Sequence, residues 1–255
     1  MRQLLAIAAN TFRESIRDRI LYSLVFFAVL MLFTSLALEE ITVGDQDKVV
    51  RSVALGAIRL FGSVVSVFLG IGLVYKEIER KTIYTIASKP IPRWLFVVGK
   101  YAGLMAVIAV LIGLMGAIYL VLITVQQGFP GGGVFLSWGM LYVELALLTA
   151  WAILFSSYSS PITASSFSLA VFVIGHLADD LWLFGQQAES ETVRKLSEVI
   201  YWVLPNFSVF NIHGLVIHDL PIPAGQVLGA LGYGVGYTAA VLAVACMVFN
   251  TRDFK

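Results

Sequence analysis

The chain has 255 residues, of which 59% are hydrophobic and only 13% charged, against about 25% charged in soluble domains; an ordinary soluble globule is excluded and an integral membrane protein is expected. The net charge of +1 names no partner and gives no reason to expect nucleic acid, so the information lies in how charge is distributed. One cysteine, Cys246, leaves no disulfide framework and no cysteine-based metal site.

At the N-terminus, Leu4, Ile7, Ala8, Phe12, Ile16 and Ile20 recur at three- and four-residue steps, while Arg2, Arg13, Glu14, Arg17 and Asp18 fall between them. This pattern predicts an amphipathic interfacial helix over residues 1–19. The apolar run that follows is too long for the core of a cleaved signal peptide and lacks a small-residue cleavage site, so it reads as an uncleaved first span. A membrane helix needs about 20 apolar residues. Six stretches qualify, over 20–38, 55–75, 95–125, 134–155, 162–183 and 226–249, which makes the fold an all-α bundle of six transmembrane helices in a single permease-like domain, 1–255. At 1.5 Å per residue the third is roughly 46 Å long, so it must tilt or protrude.

An even number of spans puts both termini on one side. That side then holds Arg2, Arg13, Arg17 and Arg19, the six basic residues Lys76, Arg80, Lys81, Lys89, Arg93 and Lys100, and Arg252 and Lys255: twelve, against Lys48, Arg51, Arg59, Arg194 and Lys195 opposite. Excess Lys and Arg mark the cytoplasmic side, so both termini are expected there, with the basic 76–94 loop as a docking surface. The outer side carries acidic Glu39, Glu40, Asp45 and Asp47, and the uncharged turn QQGFPGGG joins spans three and four. Ser160 and Pro161 suit the N-cap and first turn of the fifth helix. An outer insert spans 184–225. Within it, Val193, Leu196, Ile200 and Val203 predict an amphipathic helix that Ser190 caps and Pro205 and Asn206 end. The apolar stretch 206–217 is too short to cross and reads as an interfacial or re-entrant element able to lid a path.

Glu144 lies within the fourth span, where a charge must face a bundle interior or a partner. Arg59, in the outer part of the second span, is at comparable depth and is its candidate partner. The pair admits a packing role, a substrate or proton role, or snorkelling toward the interface. His176, Asp179 and Asp180, and separately His213, His218 and Asp219, carry ligand-type side chains, yet none has metal-site spacing and no metal site is expected. Gly225, Gly229, Gly232 and Gly236 form two GxxxG spacings; Gly232 and Gly236 suit close packing of the last helix, within the bundle or between two copies. Gly99-Lys100 is followed by Tyr101 and lacks the earlier glycine of a phosphate-binding loop, so this chain holds no nucleotide. No zincin motif or nucleophile elbow occurs, so no catalytic residue is assigned and an intramembrane enzyme is disfavoured.

Four segments together carry a resemblance: RESIRDRILY before the first span, E-x-E-R-K-T-I-x-x-x-x-x-K-P-I-x-R-x-x-F-x-x-G-K-Y after the second, LFSSYSSP, and a late LPNF. The chain resembles, over essentially its whole length, the permease subunit of the type-2 ATP-binding cassette (ABC) transporter family. It is most similar there to the group named for multicopper-enzyme maturation, which includes nitrous-oxide-reductase-assembly permeases. The resemblance implies a dimeric permease in the bacterial or archaeal inner membrane, with two copies of a separate cytoplasmic ATPase using ATP and Mg. It leaves room for a periplasmic protein partner. It also implies that Glu77, Glu79, Arg80, Thr82 and Ile83 form a coupling helix seated in the ATPase; Lys81 stands where many relatives carry Gly. The expected function is an ATP-driven permease of unassigned substrate, whether lipid-like, drug-like or related to metal or sulfur. Its rivals are a scaffold joining an ATPase to an outer assembly and an ion-coupled transporter using Glu144. No broken-helix pair of the inverted-repeat kind is visible to favour the last.

Overall fold

The computed structural model describes residues 2–41, 45–79 and 92–251. The elements are α1 (Arg2–Ile16), α2 (Arg19–Ile41), α3 (Gln46–Glu79), α4 (Arg93–Gln127), α5 (Gly133–Tyr158), α6 (Pro161–His176), α7 (Ala178–Gln187), α8 (Glu191–Val203), a 3₁₀ turn at Ser208–Phe210, α9 (His213–Ile217) and α10 (Ala224–Thr251). Among the described residues there is no strand.

The stretch Gln46–Gly72 of α3, and α4, α5 and α10, are each long and apolar enough to cross a membrane. Two bent pairs reach the same standard together: α6 with α7, at 63°, and α8 with Ser208–Ile217, at 54°. The protein is thus an all-helical, multi-pass membrane protein. α2, with 23 residues, would extend over about 34 Å.

α5 is the hub. In its apolar window 67% of residues are buried within the chain, against 22% for α10, so α5 is central and α10 turns most of its surface outward. Leu141, Leu145 and Leu148 of α5 share one core with Leu55 and Ile58 of α3, Ile108 and Met115 of α4, and Phe207 and Phe210 of the insert.

α1 lies along α4 because two glycines leave room for it. A Cβ at Gly103 would sit 2.5 Å from the Ala8 carbonyl and 2.8 Å from Thr11 Cβ, and one at Gly99 would meet Ile7 at 3.0 Å. Nothing larger than hydrogen fits at Gly103 unless α1 moves. Phe12 and Ile16 meanwhile pack on the main core.

The expected second span, 55–75, lies inside a longer helix. α3 begins at Gln46, and two of the charges in its first turns have partners: Lys48 pairs with Asp45 at 2.9 Å, and Arg51 donates to Gln127 Oε1 at 2.8 Å. The expected fifth span, 162–183, is broken. The Leu177 N–H bonds back to Val173 and Ile174, closing a tight final turn, and the Gly175 carbonyl that Asp179 would otherwise reach accepts from Phe207 N at 2.8 Å. Ser160 caps α6 by accepting from Thr163 N, with Pro161 in the first turn. Ser190 occupies the N-cap position of α8, but its side chain makes no capping bond. α8 stops at Val203, earlier than Pro205, since Leu204 is driven to extended backbone (ψ 152) by the proline after it.

Candidate functional site

Three polar side chains from three helices, Arg59, Glu144 and His176, meet inside the bundle. Arg59 of α3 approaches as a fork: Nη2 donates to Glu144 Oε2 at 2.7 Å and Nε to Oε1 at 3.2 Å. The two-point geometry matches a planar guanidinium to a carboxylate, which one ammonium cannot do. The Glu144 side chain is 1% exposed and that of Arg59 12%. Such burial is tolerable only with a partner, because an isolated charge in a low-dielectric interior is very costly.

His176, the last residue of α6, completes the group. Its Nε2 stands 3.2 Å from Glu144 Oε1, and its Nδ1 lies 2.8 Å from the Phe172 carbonyl. A carbonyl only accepts, so Nδ1 carries a hydrogen. Nε2 makes no hydrogen bond of good geometry there, so His176 stands against the pair without being bonded to it.

The LPNF segment sets the orientation of that ring. His176 is bracketed by Phe172, at 4.4 Å between centroids, and Phe207, at 5.5 Å. Phe207 comes this close only because residue 175 is glycine: a Cβ there would lie 2.6 Å from the Pro205 carbonyl and overlap the Phe207 ring. Asn206 Nδ2 donates to Asp179 Oδ1 at 2.6 Å, Ser208 Oγ donates to Asp179 Oδ2, and Tyr233 of α10 accepts from Asn206 N at 2.9 Å. The break after α6, the insert and α10 are therefore tied to one another beside Glu144.

A cavity of about 510 Å³ opens next to this network, lined by Lys48, Val49, Ser52, Gly56 and Arg59 of α3 and by Asn211, His213, Gly214, Ile217 and His218. Arg59 belongs to both. Next to the lining residues Ser52 and His218, Arg51 stands 3.6 Å from Asp219 and ties the start of α3 to the insert. Beside the mouth, the Lys48 ammonium holds the Asp45 carboxyl below the usual carboxylate range through a hydrogen bond and charge.

The expected Arg59–Glu144 partnership is present, and reasoning from the sequence missed its third member. No spacing rule links residue 176 to residue 144; the available signal was a histidine within an apolar span. His176 and Asp179, which the sequence groups together, face different partners. His213 and His218 line the cavity, and among the described residues no group of three or more His, Cys, Asp or Glu side chains could hold a metal ion. A Cβ added at Gly232 or Gly236 would meet none of the described residues within 4 Å, while Gly234, on the other face of α10, is the contact with Val143 and Phe210. Glu77 and Glu79 fall in the last turn of α3. Arg80, Thr82 and Ile83 lie outside the described residues.

No curated protein matches the chain. It does match the family described as ABC-2 family transporter protein, over residues 5–254. With apolar helices throughout and essentially its full length matched, the chain belongs to the ABC-2 transporter family, as the membrane component of an ABC transporter.

Proposed function

We propose that the chain forms, with a second permease copy, a dimeric translocation path driven by two cytoplasmic ATPase subunits. These grip the segment that contains Glu77, Glu79, Arg80, Thr82 and Ile83. The observation that carries the reading is the length of α3: its apolar part ends at Gly72, yet the helix continues to Glu79. The continuation extends for about 10 Å and bears Lys76, Glu77 and Glu79. It supplies a rigid lever from the gripped segment to Arg59 and the buried charges. α1, locked onto α4 through Gly99 and Gly103, supplies a second lever. ATP and Mg act in the partner; closure of the two ATPases is transmitted along α3 and α1 and rocks the two bundles against each other.

Twelve Lys and Arg residues against five support an inner-membrane orientation with both termini cytoplasmic and the 184–225 insert outside. Gly232 and Gly236, open on the outward face of α10, suit the contact between copies. The motif resemblance favours a place among enzyme-maturation permeases, with cargo of a lipid-like, drug-like, metal or sulfur kind. A second reading, a scaffold joining the ATPase to an outer periplasmic protein without moving a substrate, draws on the insert. That insert is pinned to the bundle through Asp179, Asn206 and Tyr233 and makes a fixed platform.

The test is the complex with its ATPase, reconstituted in liposomes. Glu79→Ala with Arg80→Ala should keep the complex assembled while lowering permease-dependent ATP hydrolysis about tenfold or more. Unchanged hydrolysis in the assembled variant would remove the coupling assignment.

A further inference from the structure

The cavity beside Arg59 has a composition that the transporter reading does not use. Lys48, Val49, Ser52, Gly56 and Arg59 recur at the spacing of one helix face, so the cavity is a groove along the first half of α3, roofed by the 211–218 segment. From Lys48 to Arg59 it extends for about 16 Å along the helix axis. The two ends are furnished alike. Asp219, next to His218, sits 3.6 Å from Arg51, which puts the exposed His218 at the mouth with Lys48; the half-buried His213, at the other end of α9, lines the groove together with Arg59 and stands at the floor.

Every polar side chain of the lining (Lys48, Ser52, Arg59, Asn211, His213 and His218) can donate a hydrogen bond, and among the described residues no Asp or Glu lines the groove. Glu144 takes one hydrogen each from Nε and Nη2 of Arg59, and Arg59 also lines the groove, so its guanidinium keeps donors for an acceptor bound there. Glu144 also fixes the guanidinium in place before any ligand arrives, which lowers the ordering cost of binding. At the mouth, Lys48 pairs with Asp45, whose side chain is 75% exposed, and an exposed pair of this kind is readily exchanged for a stronger anion. A volume of about 510 Å³ falls in the range of small-molecule sites. Val49 and Ile217 add an apolar wall.

We propose that this groove binds a phosphate-class oxyanion, with Arg59 and His213 receiving it at the floor and Lys48 and His218 guarding the mouth. A phosphorylated solute and the headgroup of an anionic phospholipid present the same chemistry, and the experiment separates them. The site belongs to the permease alone, so its test does not depend on whether the chain couples to an ATPase.

The full-length chain is placed in phosphatidylcholine nanodiscs and titrated with glycerol 3-phosphate by calorimetry. In parallel, retention of phosphatidic acid over phosphatidylcholine is measured by native mass spectrometry. Two variants report on the groove. Gly56→Leu fills it, and its side chain enters open space since nothing lies within 4 Å of the Cβ position. Lys48→Met with His213→Phe removes donors at both ends and leaves Arg59 and Glu144 intact. Saturable binding of glycerol 3-phosphate that weakens about tenfold or more in both variants assigns the site to a soluble phosphate. Selective retention of phosphatidic acid, lost in both variants, assigns it to a lipid. Absence of both, or binding that neither variant weakens while each retains the unfolding temperature of the parent protein, overturns the proposal.

Discussion

Glu144 is the residue whose environment leaves least freedom. One carboxylate, 1% exposed, satisfies a guanidinium fork, so removing it leaves the largely buried Arg59 without its partner. Glu144→Leu should lower stability by about 3–5 kcal/mol, read by denaturant unfolding in mild detergent. The double variant Arg59→Met with Glu144→Leu should recover most of that loss, because it removes both charges instead of orphaning one. A double variant that is no more stable than Glu144→Leu alone would show that the pair is not energetically coupled. The candidate pair could be named from the sequence, since a carboxylate and an arginine at like depth in two apolar spans seek each other. His176 could not: its place depends on where α6 stops.

At the scale of elements, close approach of backbones decides more than hydrophobic pattern does. α1 is held on α4 at Gly103, where a Cβ would lie 2.5 Å from the Ala8 carbonyl. A carbonyl within a helix cannot step aside as a flexible side chain can. Gly103→Leu should therefore cost about 1–3 kcal/mol and raise amide hydrogen exchange in α1 while α5 stays protected. Gly139→Leu, also in a core-forming helix but with open space at its Cβ position, should change little. Equal exchange in the two variants would mean that α1 is not held by this contact. The existence of α1 was legible in its three- and four-residue spacing. Its seat on α4 was not, because GxxxG-like pairs such as Gly99 and Gly103 occur at several places in this chain, and only packing selects the one that is used.

For the whole molecule, the path of the two bent pairs through the bilayer sets the sidedness of everything after α5. α8 with Ser208–Ile217 is apolar enough to cross, yet Asp219, just beyond it, sits 3.6 Å from Arg51, near the start of α3. Such a return is expected of a re-entrant segment that dips toward Glu144 and comes back, which fits the proposed six-span arrangement with the insert outside. In a Cys246→Ala background, Glu189→Cys and Leu220→Cys should both react with an impermeant maleimide added outside intact cells, and Ser159→Cys should react only after permeabilisation. Labelling of Leu220→Cys only after permeabilisation would require an additional crossing and would reverse the side assigned to the C-terminus.

Composition and hydropathy alone determined that this is a helical membrane protein, where its main helices lie, and which way its charge bias points. These follow from interactions within a few residues: apolar runs of bilayer length, helical periodicity, a proline or serine at a helix end. Only the tertiary structure decided that α3 runs unbroken from Gln46 to Glu79, that the fifth span breaks at Leu177, and that Arg59, Glu144 and His176 form one network opening onto a donor-lined groove. Arg59 and Glu144 are 85 residues apart in the chain. Contacts at that separation depend on which helix faces meet once every backbone and every buried charge must be satisfied simultaneously, a condition that no local pattern encodes.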